Sequence, residues 1–472
     1  MEDIDPESVK KAREYRPRRK PVWITFAAVA ACAAIFVGAV WGIPALRDRG
    51  RHGGGDVTPG GLRTVAAVYP EPVAQGLDPQ KFMEGDAHWE WWRSYWESVS
   101  GTEGLQAGMD PYTSALISQV LVSENENTVC SPLNTYIAFA MLAEVSGGNT
   151  RQQILDMLGA ENVKTLRNNV SVLWENNWAD TPVFRSVLAN SLWLNGRTAY
   201  DEGTLETLAE QYRASTFMGT PGSEEMDEAL RTWTNDSTGG LLGEYTQDMS
   251  LDPQTVLEIV STIYFRAMWV EDFREEDTTR EVFHGTAGDT EVDMMHKTGM
   301  MAVYHGDGFT ALRLDLMDSG GMYFLLPEEG RDVNDVLTDP DVLPSIREDN
   351  SQEYRPVPLV HLSVPKFRVS ASTDLLDAAR ALGLTDAMDP SLADFTSLAD
   401  EPGVYLSGAD HAAVIEIDEQ GVTGAAYTDM ALAGGAAAPD DEMDFILDRP
   451  FVFLVTGLDG SVLFAGAVRN IG

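Results

Sequence analysis

The segment EQGVTGAAYTDMALAGGAAAPDDE, Glu419 to Glu442, does most to limit what this 472-residue chain can fold into. It separates two of the most strand-like runs in the sequence, ADHAAVIEID before it and MDFILDRPFVFLV after it. Compact domains rarely keep more than about 12–15 residues without structure unless the segment works or is disordered. Its front part, Gly421 to Thr428, holds neither proline nor charge. Glycine, alanine and threonine have little bulk, so this part can slide between two existing strands without prising them far apart. The part beyond it, Leu432 to Ala438, is small-residue backbone that a protease can seize. A segment exposed in one state and able to become a strand in another is the sequence form of loop insertion into a sheet.

Around this segment the chain passes from helices to strands. HWEWWRSYWESV sets Trp89, Trp92 and Trp96 on one helical face at i, i+3 and i+7, as a packing helix would. DPYTSALISQVLVS predicts a helix with Asp110 as N-cap and Pro111 at its first position. SPLNTYIAFAMLAEVSGGNTRQQILDMLG predicts two helices, the first apolar nearly all round from Ile137 to Val145 and therefore buried. Later, VLEIVSTIYFRAMW and GMYFLLP read as buried strands. MDFILDRPFVFLV and SVLFAGAV are joined by GLDG, whose Asp459-Gly460 is a hairpin signal. Helices early and antiparallel strands late predict one large α+β domain rather than a doubly wound sheet.

The amino terminus is different. Residues 1–21 form a basic tail containing RPRRK, followed by VWITFAAVAACAAIFVGAVWGI, Val22 to Ile43, without a charge. Twenty-two residues at a helical rise span about 33 Å, enough to cross a hydrocarbon core. Trp23 and Trp41 lie near its ends, where interfacial aromatics belong. The run is longer than a signal-peptide core, which favours an uncleaved single-pass anchor over secretion after cleavage. The basic cluster before it predicts a cytoplasmic N-terminus and an external body. Residues 44–64, with GRHGGGDVTPGG, read as a flexible tether, and 65–472 as the extracytoplasmic domain.

Net charge is −41, and residues 1–52 carry ten basic against six acidic residues, so the remainder carries −45. Such a body excludes nucleic acid as its partner. Cys32 and Cys130 are the two cysteines, one in the apolar run and one in a core segment, which excludes a disulfide framework. The seven histidines form no metal-ligand spacing, and no metal or other cofactor is expected. No nucleophile elbow, Walker loop or dinucleotide fingerprint occurs, so the sequence reads as no enzyme.

Taken in order, several motifs resemble the serpin family, specifically a bacterial-type member with an N-terminal membrane anchor. They are NTVCSPLNTYIAFAMLAEVSGGNTRQQILDML (127–158), ANSLWLN, WTNDSTGGLL, STIYFRAMWVEDF, FLLPEEG, VPKF, DHAAVIEIDEQG, and DRPFVFLV with LFAGAV. The resemblance covers roughly residues 105–471. It implies a three-sheet fold with eight to nine helices and an exposed reactive-centre loop. It also implies action as a suicide substrate, in which a serine protease cuts the loop and is held as an acyl-enzyme while the loop inserts. The alternative is a non-inhibitory serpin cut as a simple substrate or acting as a binding protein at the cell surface.

By the same resemblance, Glu419 and Gly421 open the hinge, followed by Val422, Thr423, Gly424, Ala425, Ala426 and Tyr427. Gly424 and Tyr427 depart from a pure alanine hinge. Trp269 matches the tryptophan beneath the point where the loop enters the sheet. Ser131 and His411 match a polar cluster gating sheet opening, and Arg231 stands where that cluster usually has asparagine. Counting from Glu419 puts the reactive bond at Gly435-Ala436, within a window from Met430 to Ala437. The loop has no Lys or Arg, which implies an extracellular elastase-like or subtilisin-like target, and the resemblance as a whole implies a monomeric inhibitor.

Overall fold

The computed structural model describes residues 56–57, 61–74, 76–99, 104–350, 357–400, 402–422 and 441–472. The basic tail, the apolar run 22–43 and most of the tether lie outside them. Among the described residues no helix is long and apolar enough to cross a membrane. The unit Ile43–Gly472 holds every described element.

Three sheets form this unit. The largest has nine strands, running from Asp56–Val57 and Arg63–Val65 through Ala214–Gly219, Arg185–Asn195 and Leu257–Met268 to Gly421–Val422, Leu406–Ile417 and Phe367–Asp374, with Ala179–Asp180 attached to Arg185–Asn195. Six strands make the second sheet, whose centre holds Phe451–Thr456 and Val462–Val468 as an antiparallel pair across the Gly457–Gly460 turn. Gly460 there has φ of 82°, the left-handed conformation that such a turn requires. The third sheet has four strands, with Glu442–Ile446 parallel to Leu359–Pro365 at one edge.

Behind the large sheet lies the helix Pro132–Val145. Every residue in it except Glu144 is buried, as its apolar circumference dictates. The Ser131 side chain caps it by accepting the Asn134 N–H, and Pro132 occupies the first position, where no amide hydrogen is needed. The next helix, Gly148–Met157, starts at the second glycine of the Gly147-Gly148 pair, with Asn149 and Thr150 already in its first turn.

Four expectations need correction. Twelve α-helical segments occur among the described residues, not eight or nine; several have only four to six residues, too few to show a 3.6-residue period. The helix Leu105–Val120 begins before Asp110, and Pro111 lies inside it. Asp110 is no cap because Arg347 holds its carboxylate at 2.8 Å, a tertiary contact invisible in the local pattern. In the helix Asp86–Val99 the buried stripe is His88, Tyr95 and Val99, while Trp89 and Trp96 are 64% and 52% exposed. The stripe is thus displaced by one residue, about 100° around the helix. Trp91 stacks on Tyr95 at 5.2 Å, and His88 Nε2 meets the buried Asp318 carboxylate at 2.9 Å. Finally, the stretch assigned to the tether contains Asp56–Val57 and the start of Arg63–Val65, which extends the edge of the large sheet.

Arg469, just beyond the last strand, is fully buried. Its guanidinium donates to the carbonyls of Glu126 and Leu121, to Thr128 Oγ1 and to Asn334 Oδ1, at 2.7–3.2 Å. Arg469→Met should leave these acceptors unsatisfied and cost about 3 kcal/mol. The check is equilibrium or kinetic unfolding in urea; an unchanged midpoint would refute this role for the guanidinium.

Candidate functional site: a half-closed seam in the large sheet

The strands Leu257–Met268 and Leu406–Ile417 are parallel neighbours along only part of their length. They pair from Leu257 with Leu406 to Thr262 with Ala412. Above that point they are paired by a third element. Gly421–Val422 runs antiparallel to both, with Val422 opposite Ile417 on one side and Ala267 on the other, and Gly421 opposite Met268. A Cβ on Gly421 would lie 2.2 Å from the Ala267 carbonyl oxygen, so only glycine fits this approach. Val422 is fully buried.

The turn into this wedge is tightly held. Asp418 Oδ1 accepts the N–H groups of Gln420 and Gly421 at 2.9 and 3.1 Å. Trp269 donates its indole N–H to the Asp418 carbonyl at 3.0 Å and its backbone N–H to the Gln420 carbonyl at 3.0 Å. Phe273 N–H reaches the Glu419 carbonyl at 2.9 Å. Burial alone would raise the Glu419 carboxyl, but the Lys366 ammonium at 2.5 Å and the Thr278 hydroxyl at 2.8 Å outweigh it and hold the carboxyl below its ordinary range. Glu419, Gly421, Val422 and Trp269 therefore converge on one place. Thr423, Gly424, Ala425, Ala426, Tyr427, Gly435 and Ala436 lie outside the described residues. The chain resumes at residue 441 and enters Glu442–Ile446, in a different sheet.

A polar cluster crosses the seam at its midpoint, on the helix side. The Ser131 backbone N–H donates to His411 Nε2 at 2.8 Å, so the ring proton sits on Nδ1, facing Ser261 Oγ at 3.3 Å. Asn134 donates to Ser261 Oγ and to the Thr262 and Ala189 carbonyls, and accepts from Asn190 at 2.9 Å. Ser131 and His411 are thus together, but the serine acts through its backbone, its hydroxyl being spent on the helix cap. Arg231 is elsewhere: it lies on the helix Glu224–Ser237, pairs with Glu224 at 2.9 Å and donates to the Met249 carbonyl. The asparagines of the cluster are Asn134 and Asn190, which the sequence pattern did not single out. Both sit inside quoted motifs, SPLN and ANSL, where a polar residue in an otherwise buried run was the available signal. Among the described residues no group of three His, Cys, Asp or Glu side chains is placed to hold a metal ion.

Full burial pushes the His411 imidazole down to about 4, from an ordinary value near 6.5. The unfolded chain therefore takes up a proton first. The stability is intact above about 6.5 and is lost as pH falls toward and through about 4, amounting to about 2 kcal/mol between pH 7.5 and pH 5. His411→Asn should remove that part of the acid sensitivity. Urea unfolding of both proteins at the two pH values checks it, and identical acid losses would refute it.

Among curated proteins, the chain is 28% identical to Serpin-Z1C of Triticum aestivum over 74% of this chain and 91% of that protein. It is also 28% identical to Serpin-ZX of Arabidopsis thaliana, over 74% and 93%. The native-state structure of the thermophilic serpin tengpin superposes with a TM-score of 0.69 at 21% identity, covering 77% of this chain and 93% of tengpin. The native stressed form of Arabidopsis AtSerpin1 gives 0.68 at 26%, covering 78% and 98%. Neither the helix Asp86–Val99 nor the edge strands before it fall within the residues, 109–471, that match the family model for serpins, described as serine protease inhibitors. That match takes in the rest of the three sheets, with the wedge and the seam, and the chain belongs to the serpin family, a family of protease inhibitors and not of enzymes.

Proposed function

We propose that this serpin is a suicide substrate that traps an elastase-like or subtilisin-like serine protease as a covalent acyl-enzyme. The observation that carries this reading is the wedge. Gly421–Val422 already forms the first antiparallel pairs between two strands that lie directly against each other lower down. In this reading the protease cuts at Gly435-Ala436, or within Met430–Ala437, and the freed segment zips downward behind the wedge. Glu419 to Tyr427 is the hinge, Trp269 holds its turn, and Ser131 and His411 gate the seam with Asn134, Asn190 and Ser261. About 14 residues at a strand rise of roughly 3.3 Å carry the protease on the order of 45 Å. Their backbone pairs, about 0.5–1.5 kcal/mol each, sum to more than a typical domain stability, so the step runs one way.

Small residues throughout the loop and the lack of Lys or Arg between Glu419 and Glu442 support the target class. The charge-free run Val22–Ile43 behind a basic cluster supports a single-pass anchor that holds the inhibitor outside the cell.

Mixing the protein with pancreatic elastase or subtilisin should give a band on a denaturing gel at the summed mass, with loss of protease activity. Clean cleavage with full residual activity would instead support the non-inhibitory reading. Val422→Arg puts a charge into a fully buried inserting position. It should abolish the covalent band while cleavage continues; a band of undiminished intensity would contradict insertion.

A further inference from the structure

A second group of polar side chains spans the seam, on the face away from the His411 cluster. Side chains alternate along a strand, so Glu258 shares a face with Val260, which clusters with Trp193 and with Met226 and Leu230 of the helix Glu224–Ser237. Asp410 likewise points opposite to its neighbour His411. Glu258 stands on Leu257–Met268, opposite Gly408, and Asp410 stands two residues further along the other seam strand. Alternation and register thus set the two carboxyl-bearing side chains as diagonal neighbours on one face of the seam. Gly408 is what makes room, since a Cβ there would lie 2.6–2.7 Å from the Glu258 side chain.

We infer that Glu258 and Asp410 form a proton-sharing latch that sets how readily the two seam strands separate, and so paces the strand insertion proposed above. The inference rests on that reading for its biological use, but the latch itself is a property of the closed sheet. Two carboxyl groups can hold each other only if one keeps its proton. Here Glu258, the more strongly raised of the two, is the one that keeps it. Burial first, then the Asp410 charge, pushes the Glu258 carboxyl up to about 8; burial and the Asp374 charge push Asp410 up to about 6.

The surroundings supply no counter-charge. Asp374, from the strand on the far side of Asp410, faces Asp410 in register and adds a third carboxylate. The segment leading into Glu258 offers the Thr255 hydroxyl at 3.5 Å, and the strand Arg185–Asn195 places uncharged Trp193 opposite Glu258. Among the described residues, no Lys, Arg or His ion pair involves Glu258, Asp374 or Asp410. Once Glu258 ionises, like charges therefore face each other across the seam, Glu258 from a buried position and Asp410 from a half-buried one.

Both carboxyl groups are raised in the closed sheet, so the sign is fixed. The closed seam is favoured at low pH and loses that advantage as pH rises through about 8. An inserted strand would move the two parent strands to about 9.5 Å apart, beyond hydrogen-bond reach, and the shared proton would leave. Insertion and proton release are then the same event.

Hydrogen exchange of the full-length chain in detergent micelles, corrected for intrinsic rates, reads the opening of residues 257–262 and 406–412. From pH 7 to 9.5 the opening constant should rise about tenfold, as one group titrating near 8 requires. Glu258→Gln keeps a donor toward Asp410 but cannot ionise, and Asp410→Asn removes the like charge. Glu258→Gln should hold the change below about twofold, and Asp410→Asn, which leaves the burial of Glu258 in place, should make it smaller than in wild type. An equal rise in wild type and both variants, or none in wild type, overturns the latch. Melting after loop cleavage separates the two proposals. If the nicked protein gains no stability the inhibitor reading fails, while the exchange comparison still decides the latch.

Discussion

Every strand in the interior of a sheet must satisfy its backbone donors and acceptors on both edges. In this protein that demand is met unevenly along one line. The strands Leu257–Met268 and Leu406–Ile417 satisfy each other below Thr262 and Ala412, and at the top both lean on two residues, Gly421 and Val422. The features gathered around that line all serve to hold it in this condition. Trp269, Phe273, Thr278 and Lys366 fix the turn above. His411, Ser131, Asn134, Asn190 and Ser261 tie the middle on one face, and Glu258 with Asp410 ties it on the other. A sheet held by so many specific polar contacts, rather than by apolar interdigitation alone, can be opened by disturbing few of them.

Much of this is legible in the residues themselves. The long small-residue segment between strands and the apolar helix behind the sheet follow from composition and periodicity, and the acidic-x-Gly start at Glu419 from the resemblance to serpins. The features that local pattern misses are decided by distant partners. Asp110-Pro111 has the form of a helix start, yet Arg347, far along the chain, claims the aspartate. Trp89 and Trp96 form a regular stripe, but the helix is turned so that His88 can reach Asp318. Arg231 matches the polar cluster by position, whereas Asn134 and Asn190 reach it through a helix and a strand that touch only in three dimensions. Glu258 and Asp410 are hidden among many acidic residues, since their meeting across the seam, and not their identity, distinguishes them.

The segment ahead of the family match is tied into the body. Arg63–Val65 lies along Ala214–Gly219, and the Arg63 side chain pairs with Glu202. Further along the chain, His88 grips Asp318, a residue with φ of 56° in the turn beside Trp269 and Leu316. The Met317 N–H in that turn donates to the Met268 carbonyl, at the end of the seam strand that receives the wedge. A chain of direct contacts thus runs from the helix Asp86–Val99 to the top of the seam.

Strand direction has a consequence of its own. The contact between the two seam strands is a parallel ladder, the less favourable kind per residue, and the wedge is antiparallel to both. Each further residue that followed Val422 downward would exchange one parallel rung for two antiparallel ones. The sign of that exchange is written in topology, before any side chain is considered. Side chains decide only when the exchange begins; its downhill direction was settled when the chain chose which way each strand would point.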